Sequence, residues 1–325
     1  MSDTNQQTEL LRQVRLALQN RDYQGAIKHL EQTVKIAHDA GDVGAEGRHL
    51  GNLALIYYRL NQPERSLEYF EKALASAREE GDQATENGLL GNMGNILREV
   101  QRYEDAVSYL NQALVIAQEI GDVRGRGIWL GNLGLVYDDL KQPQQAIEHH
   151  NKAVEIARRL QDQRGLASRL TNLGNSYVAN KDFLNAINQF EEVVEIQRTL
   201  GDQREVAVRL GIIGNLYNEL GRAADSDSND SRRYFSNALD FYGKTLEIAR
   251  ELDDVISEGQ LLRSIGNVLG SLGRFEQSLE YLQAAHQMFD VLGLDEQRDV
   301  TQRNIDLVSH YQDRIDNPSP ESTKD

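Results

Sequence analysis

The sequence contains no cysteine, four prolines and one tryptophan, and it has no long apolar run. Without cysteine, the chain can form no disulfide framework, no thiolate metal site and no cysteine nucleophile. No stretch approaches the roughly 18 consecutive apolar residues that a membrane-spanning helix requires. Residues 1–10 also lack the basic and apolar regions of a signal peptide. We therefore expect a cytoplasmic protein that does not insert into membranes.

Positive charge is scarce as well. The chain has 35 Lys and Arg residues against 51 Asp and Glu residues, which gives a formal net charge of −16. This excess of negative charge disfavours phosphate backbones and anionic lipids, so we expect no nucleic-acid partner. Ala, Leu, Glu, Gln and Arg are abundant, and alternating runs of β-branched or aromatic residues are missing. This composition predicts an all-α fold.

One motif recurs along the chain. Residues 130–137 read LGNLGLVY, and related stretches begin at Leu50, Leu90, Leu170, Leu210 and Leu262. Successive motifs are 40 residues apart except for the last step, which is 52 residues. Self-similarity at such a period predicts an α-solenoid of stacked helix pairs.

Short polar motifs mark the ends of the predicted helices. Gly-Asp recurs at residues 41–42, 81–82, 121–122 and 201–202. Glycine suits the left-handed position that ends a helix, and aspartate caps the free amides of the next helix. We predict about seven helix pairs and a capping helix from Asp295 to about Gln312, all within a solenoid over residues 8–313. Residues 1–7 and 314–325 are expected to be disordered.

The longer sixth step comes from an insertion at residues 225–236, DSDSNDSRRYFS. Its polar, acidic start and basic, aromatic end predict a loop followed by an extension of the sixth pair's second helix. A tolerated surface insertion is favoured over a binding loop.

The residues of the repeat resemble the tetratricopeptide repeat. Its pattern Leu-x-x-Leu-Gly-x-x-Tyr, then Ala-x-x-x-(Phe/Leu)-x-x-Ala, is matched by Leu130, Leu133, Gly134, Tyr137, Ala146, His150 and Ala153. The forty-residue form is similar to the Pins/LGN polarity adaptors, kinesin light chains and bacterial sensor arrays. This resemblance implies a right-handed superhelix whose first helices line a concave surface, with asparagines that hold the ligand's main chain. The Gα-binding motifs that follow the Pins/LGN repeats are missing, so Gα binding is not implied.

Helical periodicity divides each first helix into two arcs. At about 100° per residue, one arc of the fourth repeat holds Trp129, Leu130, Leu133, Val136 and Leu140, which suit burial. We call the opposite arc of the six motif-bearing helices the first-helix strip. Its 36 positions include nine asparagines, and its four arginines balance its four acidic residues. The rest of the chain therefore carries the whole negative charge.

We expect the first-helix strip to bind a peptide. Glycine inside a helix costs about 0.5–1 kcal/mol relative to alanine, but its missing side chain lets another backbone approach. Asparagine offers both a donor and an acceptor to a peptide backbone. The predicted groove residues are Arg48, Asn52, Asn92, Asn95, Arg98, Gly131, Asn132, Asn172, Asn175, Asn215, Asn218, Arg263 and Asn267.

Structural alternatives remain open for the same residues. The glycines could ease packing between successive first helices, and the asparagines could bond across them. The arginines of the first half, Arg48, Arg59 and Arg98, could hold a partner's carboxylate or be solvated.

No catalytic constellation is evident. Gly243-Lys244-Thr245 lacks the upstream glycine and the strand of a P-loop. His149 and His150 are adjacent on a helix and diverge, so they do not form a metal pair, and we expect His150 to be a core residue. The sequence therefore predicts neither an enzyme nor a metal or cofactor site.

We expect an adaptor that binds an extended or helical segment of a partner protein along its concave groove. Two alternatives remain: a sensor or regulatory subunit of a signalling system, and a structural scaffold that self-associates.

Overall fold

The structure is a computed structural model that describes residues 3–226 and 228–316. In these ranges it contains only α-helices. The first helices of the pairs are α1 (Asp3–Gln19), α3 (Val43–Arg59), α5 (Gln83–Glu99), α7 (Val123–Asp139), α9 (Gln163–Ala179), α11 (Gln203–Ala223) and α13 (Val255–Ser271). The second helices are α2 (Tyr23–Asp39), α4 (Pro63–Glu80), α6 (Tyr103–Glu119), α8 (Pro143–Arg159), α10 (Phe183–Leu200), α12 (Asn229–Glu251) and α14 (Phe275–Val291), and α15 (Asp295–Asp316) follows them.

This order confirms the prediction of seven helix pairs and one further helix. The ends differ from the prediction, because α1 begins at Asp3 and α15 continues to Asp316. Residues 3–7 and 314–316, which we expected to be disordered, are therefore helical. Residues 1–2 and 317–325, the remainder of those two segments, lie outside the described residues.

The Gly-Asp motifs form the predicted helix boundaries. Gly41 has a φ of 68°, in the left-handed region that glycine adopts without strain. Asp42 Oδ1 accepts a hydrogen bond from the Ala45 amide at 2.8 Å, and Asp122 Oδ1 accepts one from Gly125 at 2.8 Å. Each aspartate thus satisfies an amide that has no partner within its helix.

Within five of the seven pairs, a glycine at the centre of the first helix lies against a large residue of the second. A Cβ atom on Gly174 would lie 2.6 Å from Phe190, and one on Gly214 would lie 2.7 Å from Tyr242. Gly134 has the same relation to His150, whose side chain is fully buried. These glycines let the two helices approach closely.

The chain divides into two compact units, Met1–Asn172 and Leu173–Asp325, and the boundary lies inside α9. The core of the first unit is centred on Phe70, Leu90, Met93, Leu110 and Leu133, all at most 1% exposed. In the second unit, separate clusters form around Phe190 and Phe289.

The insertion lengthens both helices of the sixth pair. It extends α12 at its start, as predicted, but it also extends α11 to Ala223, which was not predicted. In its second half Phe235 is buried, because it is 6% exposed and a Cβ on Gly221 would lie 2.7 Å from its ring. Ser231 is also buried, and its hydroxyl donates to the Gly221 carbonyl at 2.8 Å. The expectation of a surface insertion is therefore wrong for these residues.

Candidate functional site

The two arcs of the first helices separate as the periodicity predicts. In α7, Trp129, Leu130, Leu133 and Val136 are at most 8% exposed. On the opposite arc, Asn132 is partly exposed, and so are Asn92 and Asn95 of the preceding first helix. The strip is therefore accessible along the middle of the first unit.

A cavity of about 290 Å³ lies on the strip of the first unit. We call it the asparagine cavity, and its lining residues are Leu55, Tyr58, Phe70, Asn92, Asn95, Ile96, Arg98, Glu99 and Asn132. The structure thus brings together four of the predicted groove residues from α5 and α7. The side-chain amides of the three asparagines form no hydrogen bond with any described residue. They are therefore available to an external donor or acceptor.

The charged groups of this cavity are paired with each other or with the next helix. The Tyr58 hydroxyl donates to Glu99 Oε1 at 2.6 Å, and this hydrogen bond raises the pKa of Tyr58. Arg98 Nε lies 3.2 Å from Asp139 Oδ2. Arg98, which we predicted could hold a partner's carboxylate, is thus already paired with the carboxylate of Asp139.

A second cavity, of about 400 Å³, lies between α1, α2 and α3. We call it the arginine cavity, and it is lined by Leu11, Val14, Arg15, Leu18, Leu30, Asn52, Leu55, Ile56 and Arg59. Leu55 borders both cavities. Arg15 and Arg59 are exposed, and neither forms an ion pair with a residue that the structure describes. Asn52 is the predicted groove residue found here.

Sequence reasoning missed the contribution of α1. This helix lacks the glycine pair of the later repeats, so it is not among the six motif-bearing helices that define the first-helix strip. Counting back 40 residues from Leu55 and Tyr58 reaches Arg15 and Leu18. The period of the array could therefore have assigned both residues to the strip.

The strip glycines do not share one role. Gly91 is buried under the indole of Trp129, which occupies the place of a Cβ atom. The alternative of packing between successive first helices therefore holds at Gly91. Gly131 is also buried, contrary to its expected outward position, yet a Cβ there would meet nothing within 4 Å.

The other predicted residues lie outside these two cavities. Arg48 and Asn175 are exposed, whereas Asn172, Asn218 and Asn267 are partly buried. Two residues of the second unit have internal contacts. Asn215 accepts a hydrogen bond from the Tyr242 hydroxyl at 2.7 Å, and the Arg263 guanidinium lies 5.5 Å from the centre of the Phe289 ring. The bond of Asn215 joins α11 to α12 within one pair, so it is not the predicted alternative of asparagines bonding across successive first helices.

The two adjacent histidines, His149 and His150, each contact a neighbouring side chain of the same repeat. His150 is fully buried as predicted, and its Nε2 lies 3.0 Å from Asp138 Oδ2. His149 stacks on Tyr137 with ring centres 5.1 Å apart. Burial lowers the pKa of His149. Across the described residues, no group of three or more His, Cys, Asp or Glu side chains could hold a metal ion.

None of the helices that the structure describes combines the length and the apolar character needed to cross a bilayer.

Comparison with known families identifies the repeat. Residues 9–79 and 85–159 match one family model described as tetratricopeptide repeat, and residues 166–204 match a second with the same description. Together these matches cover more than half of the chain. No curated protein gives a significant match.

Several solved structures share the fold. BtubC (BKLC) from P. vanneervenii is 20% identical with a TM-score of 0.57, and the alignment covers 75% of this chain and 92% of that one. The apo form of RapI is 17% identical with a TM-score of 0.59, covering 87% and 98%. A signal transduction ATPase with a tetratricopeptide repeat sensor from Pyrococcus horikoshii is 17% identical with a TM-score of 0.65. The alignment with it covers 89% of this chain but 43% of the ATPase. The TM-scores show that these proteins share the all-α solenoid fold, and at such low identities the likeness extends to the fold alone.

Proposed function

The chain belongs to the tetratricopeptide repeat family of protein-interaction repeats, and on this premise we propose that it binds a partner's peptide along the first-helix strip of its first unit. One observation carries the proposal. Asn92, Asn95 and Asn132 surround one accessible cavity, and their side-chain amides have no hydrogen-bond partner among the described residues.

An asparagine amide suits main-chain recognition. It donates and accepts at once, so it can pair with the C=O and the N–H of a peptide without reading its side chains. Three such amides around one cavity can follow a short length of backbone. Many shallow contacts of this kind give affinity through the main chain and leave selectivity to neighbouring pockets.

The same chemistry favours an extended segment over a helix. A helix already uses its backbone donors and acceptors internally, except at its ends. An extended segment has unpaired groups to offer to the three amides. The partner's segment is therefore extended where it contacts the three amides.

The test is a triple substitution, N92A/N95A/N132A, in the full chain. Short peptides are first selected from a random library on the wild-type protein, and their affinities are then measured for both proteins. A single hydrogen bond contributes about 1 kcal/mol, so the loss of three should weaken binding by roughly tenfold or more. Helicity and melting should not decrease, since alanine has the higher helix propensity.

The matched control is N111A/N151A/N188A. These asparagines are exposed on the second helices α6, α8 and α10, so their removal should leave binding unchanged. Equal affinities of the strip variant and the wild type would refute the proposal.

A further inference from the structure

The two cavities of the first unit share Leu55 but differ in chemistry. In the asparagine cavity, Glu99 and Arg98 are engaged by Tyr58 and Asp139. In the arginine cavity, the polar residues are Asn52 and two arginines, and none of the described residues that line it is acidic. The asparagine cavity therefore suits an uncharged peptide backbone, whereas the arginine cavity offers positive charge.

The floor of the arginine cavity is apolar and partly open to water. Val14, Leu30 and Ile56 are buried, while Leu11 and Leu55 are 38% and 43% exposed. A volume of about 400 Å³ has room for a large side chain. Burying such a side chain there would stabilise a complex, because apolar surface on both molecules leaves water.

The two arginines stand on different walls of this cavity. Arg15 belongs to α1, and Arg59 belongs to α3. Both lack an ion-pair partner among the described residues, in a chain whose net charge is −16. Guanidinium groups bind carboxylates through charge-assisted hydrogen bonds. A segment with acidic residues beside an apolar one would therefore be complementary in both charge and polarity.

We propose that the partner's segment carries a large apolar side chain flanked by carboxylates, and that this side chain enters the arginine cavity while Arg15 and Arg59 bind the carboxylates. The inference rests on the proposed function, since the same segment continues past Leu55 into the asparagine cavity. The chain's own last residues, 317–325, do not fit, because they contain no large apolar side chain.

The test compares peptide preferences of three full-length proteins. A library of short random peptides is selected on the wild type, on R15E/R59E and on R124E/R159E. The last variant is the control, with an equal change of charge at exposed arginines of the same unit that line neither cavity. Circular dichroism verifies that all three are folded, and R15Q/R59Q replaces the charge reversal if that variant is not.

The wild type and the control should enrich peptides with an apolar residue flanked by Asp or Glu. R15E/R59E should lose this preference and enrich Lys or Arg at the flanking positions, and R15Q/R59Q should lose the acidic preference. If all proteins select the same peptides, or if the wild type shows no acidic enrichment, this inference is overturned while peptide binding stands. If no protein selects any peptide, both proposals are overturned.

Discussion

Glycine residues at one helical position can have opposite structural roles in this array. Gly51, Gly91, Gly131 and Gly211 occupy the same place in the repeat, so their sequence context does not distinguish them. The structure does, because the single tryptophan of the chain reaches across to Gly91. The indole Nε1 of Trp129 donates to Asn87 Oδ1 at 2.7 Å, which fixes the ring in place. A non-periodic residue thus creates a contact that periodicity cannot predict.

We predict that G91A and G131A change stability in opposite directions. A methyl group on Gly91 would overlap the Trp129 ring, and overpacking of this kind costs about 1–3 kcal/mol. A methyl group on Gly131 would meet no atom within 4 Å, so the higher helix propensity of alanine should stabilise by about 0.5–1 kcal/mol. Denaturant unfolding measures both changes, and Trp129 fluorescence reports on the indole environment. Equal effects of the two substitutions would contradict this account.

Pairs of helices are joined by stacked rings whose chemistry varies between repeats. Tyr57 and Tyr69 stack with ring centres 5.1 Å apart and planes 9° apart. Tyr137 and His149 repeat this geometry at 5.1 Å and 10°. Burial is the main cause of the lowered pKa of His149, and Lys152 acts in the same direction while Glu148 opposes it. One repeat thus has an imidazole where the other has a phenol, whose pKa burial raises to about 12.

We predict that H149Y makes stability less dependent on pH. The unfolded histidine titrates near its ordinary pKa of 6.5, above the lowered pKa of the folded state. The unfolded chain therefore binds the proton first as the pH falls, and the free energy of unfolding decreases from pH 6.5 down to the lowered pKa. Tyrosine at 149 removes this contribution and can stack as Tyr69 does. Urea unfolding across this pH range measures the slope, and an unchanged slope in H149Y would contradict the prediction.

The insertion shows where prediction at the level of elements fails. Its composition predicts a loop followed by an extension of the second helix, and α12 does begin inside it at Asn229, but α11 also continues to Ala223, just before it. The buried contacts of Phe235 and Ser231 with Gly221 depend on how two extended helices meet, and no second copy of the insertion exists in the chain to reveal a pattern. Sequence periodicity is informative only where a unit is repeated.

At the scale of the whole molecule, the repeat period predicted most of the fold. Six copies of one motif predicted the helix pairs, their caps and the buried arc, because the same packing recurs in each copy. The candidate site was predicted less completely. Asn92, Asn95 and Asn132 do meet at one cavity, but pairing of Arg98 with Asp139 and of Asn215 with Tyr242 depends on side-chain positions that periodicity leaves open.

We propose that asparagines of the first-helix strip hold a peptide's main chain. The most direct measurement labels the full chain with ¹⁵N-asparagine and follows the side-chain amide signals by NMR as a library-selected peptide is added. Single substitutions assign the signals. The signals of Asn92, Asn95 and Asn132 should shift, whereas those of Asn111, Asn151 and Asn188 should not. Shifts confined to the second-helix asparagines, or unmoved strip signals at saturating peptide, would contradict it.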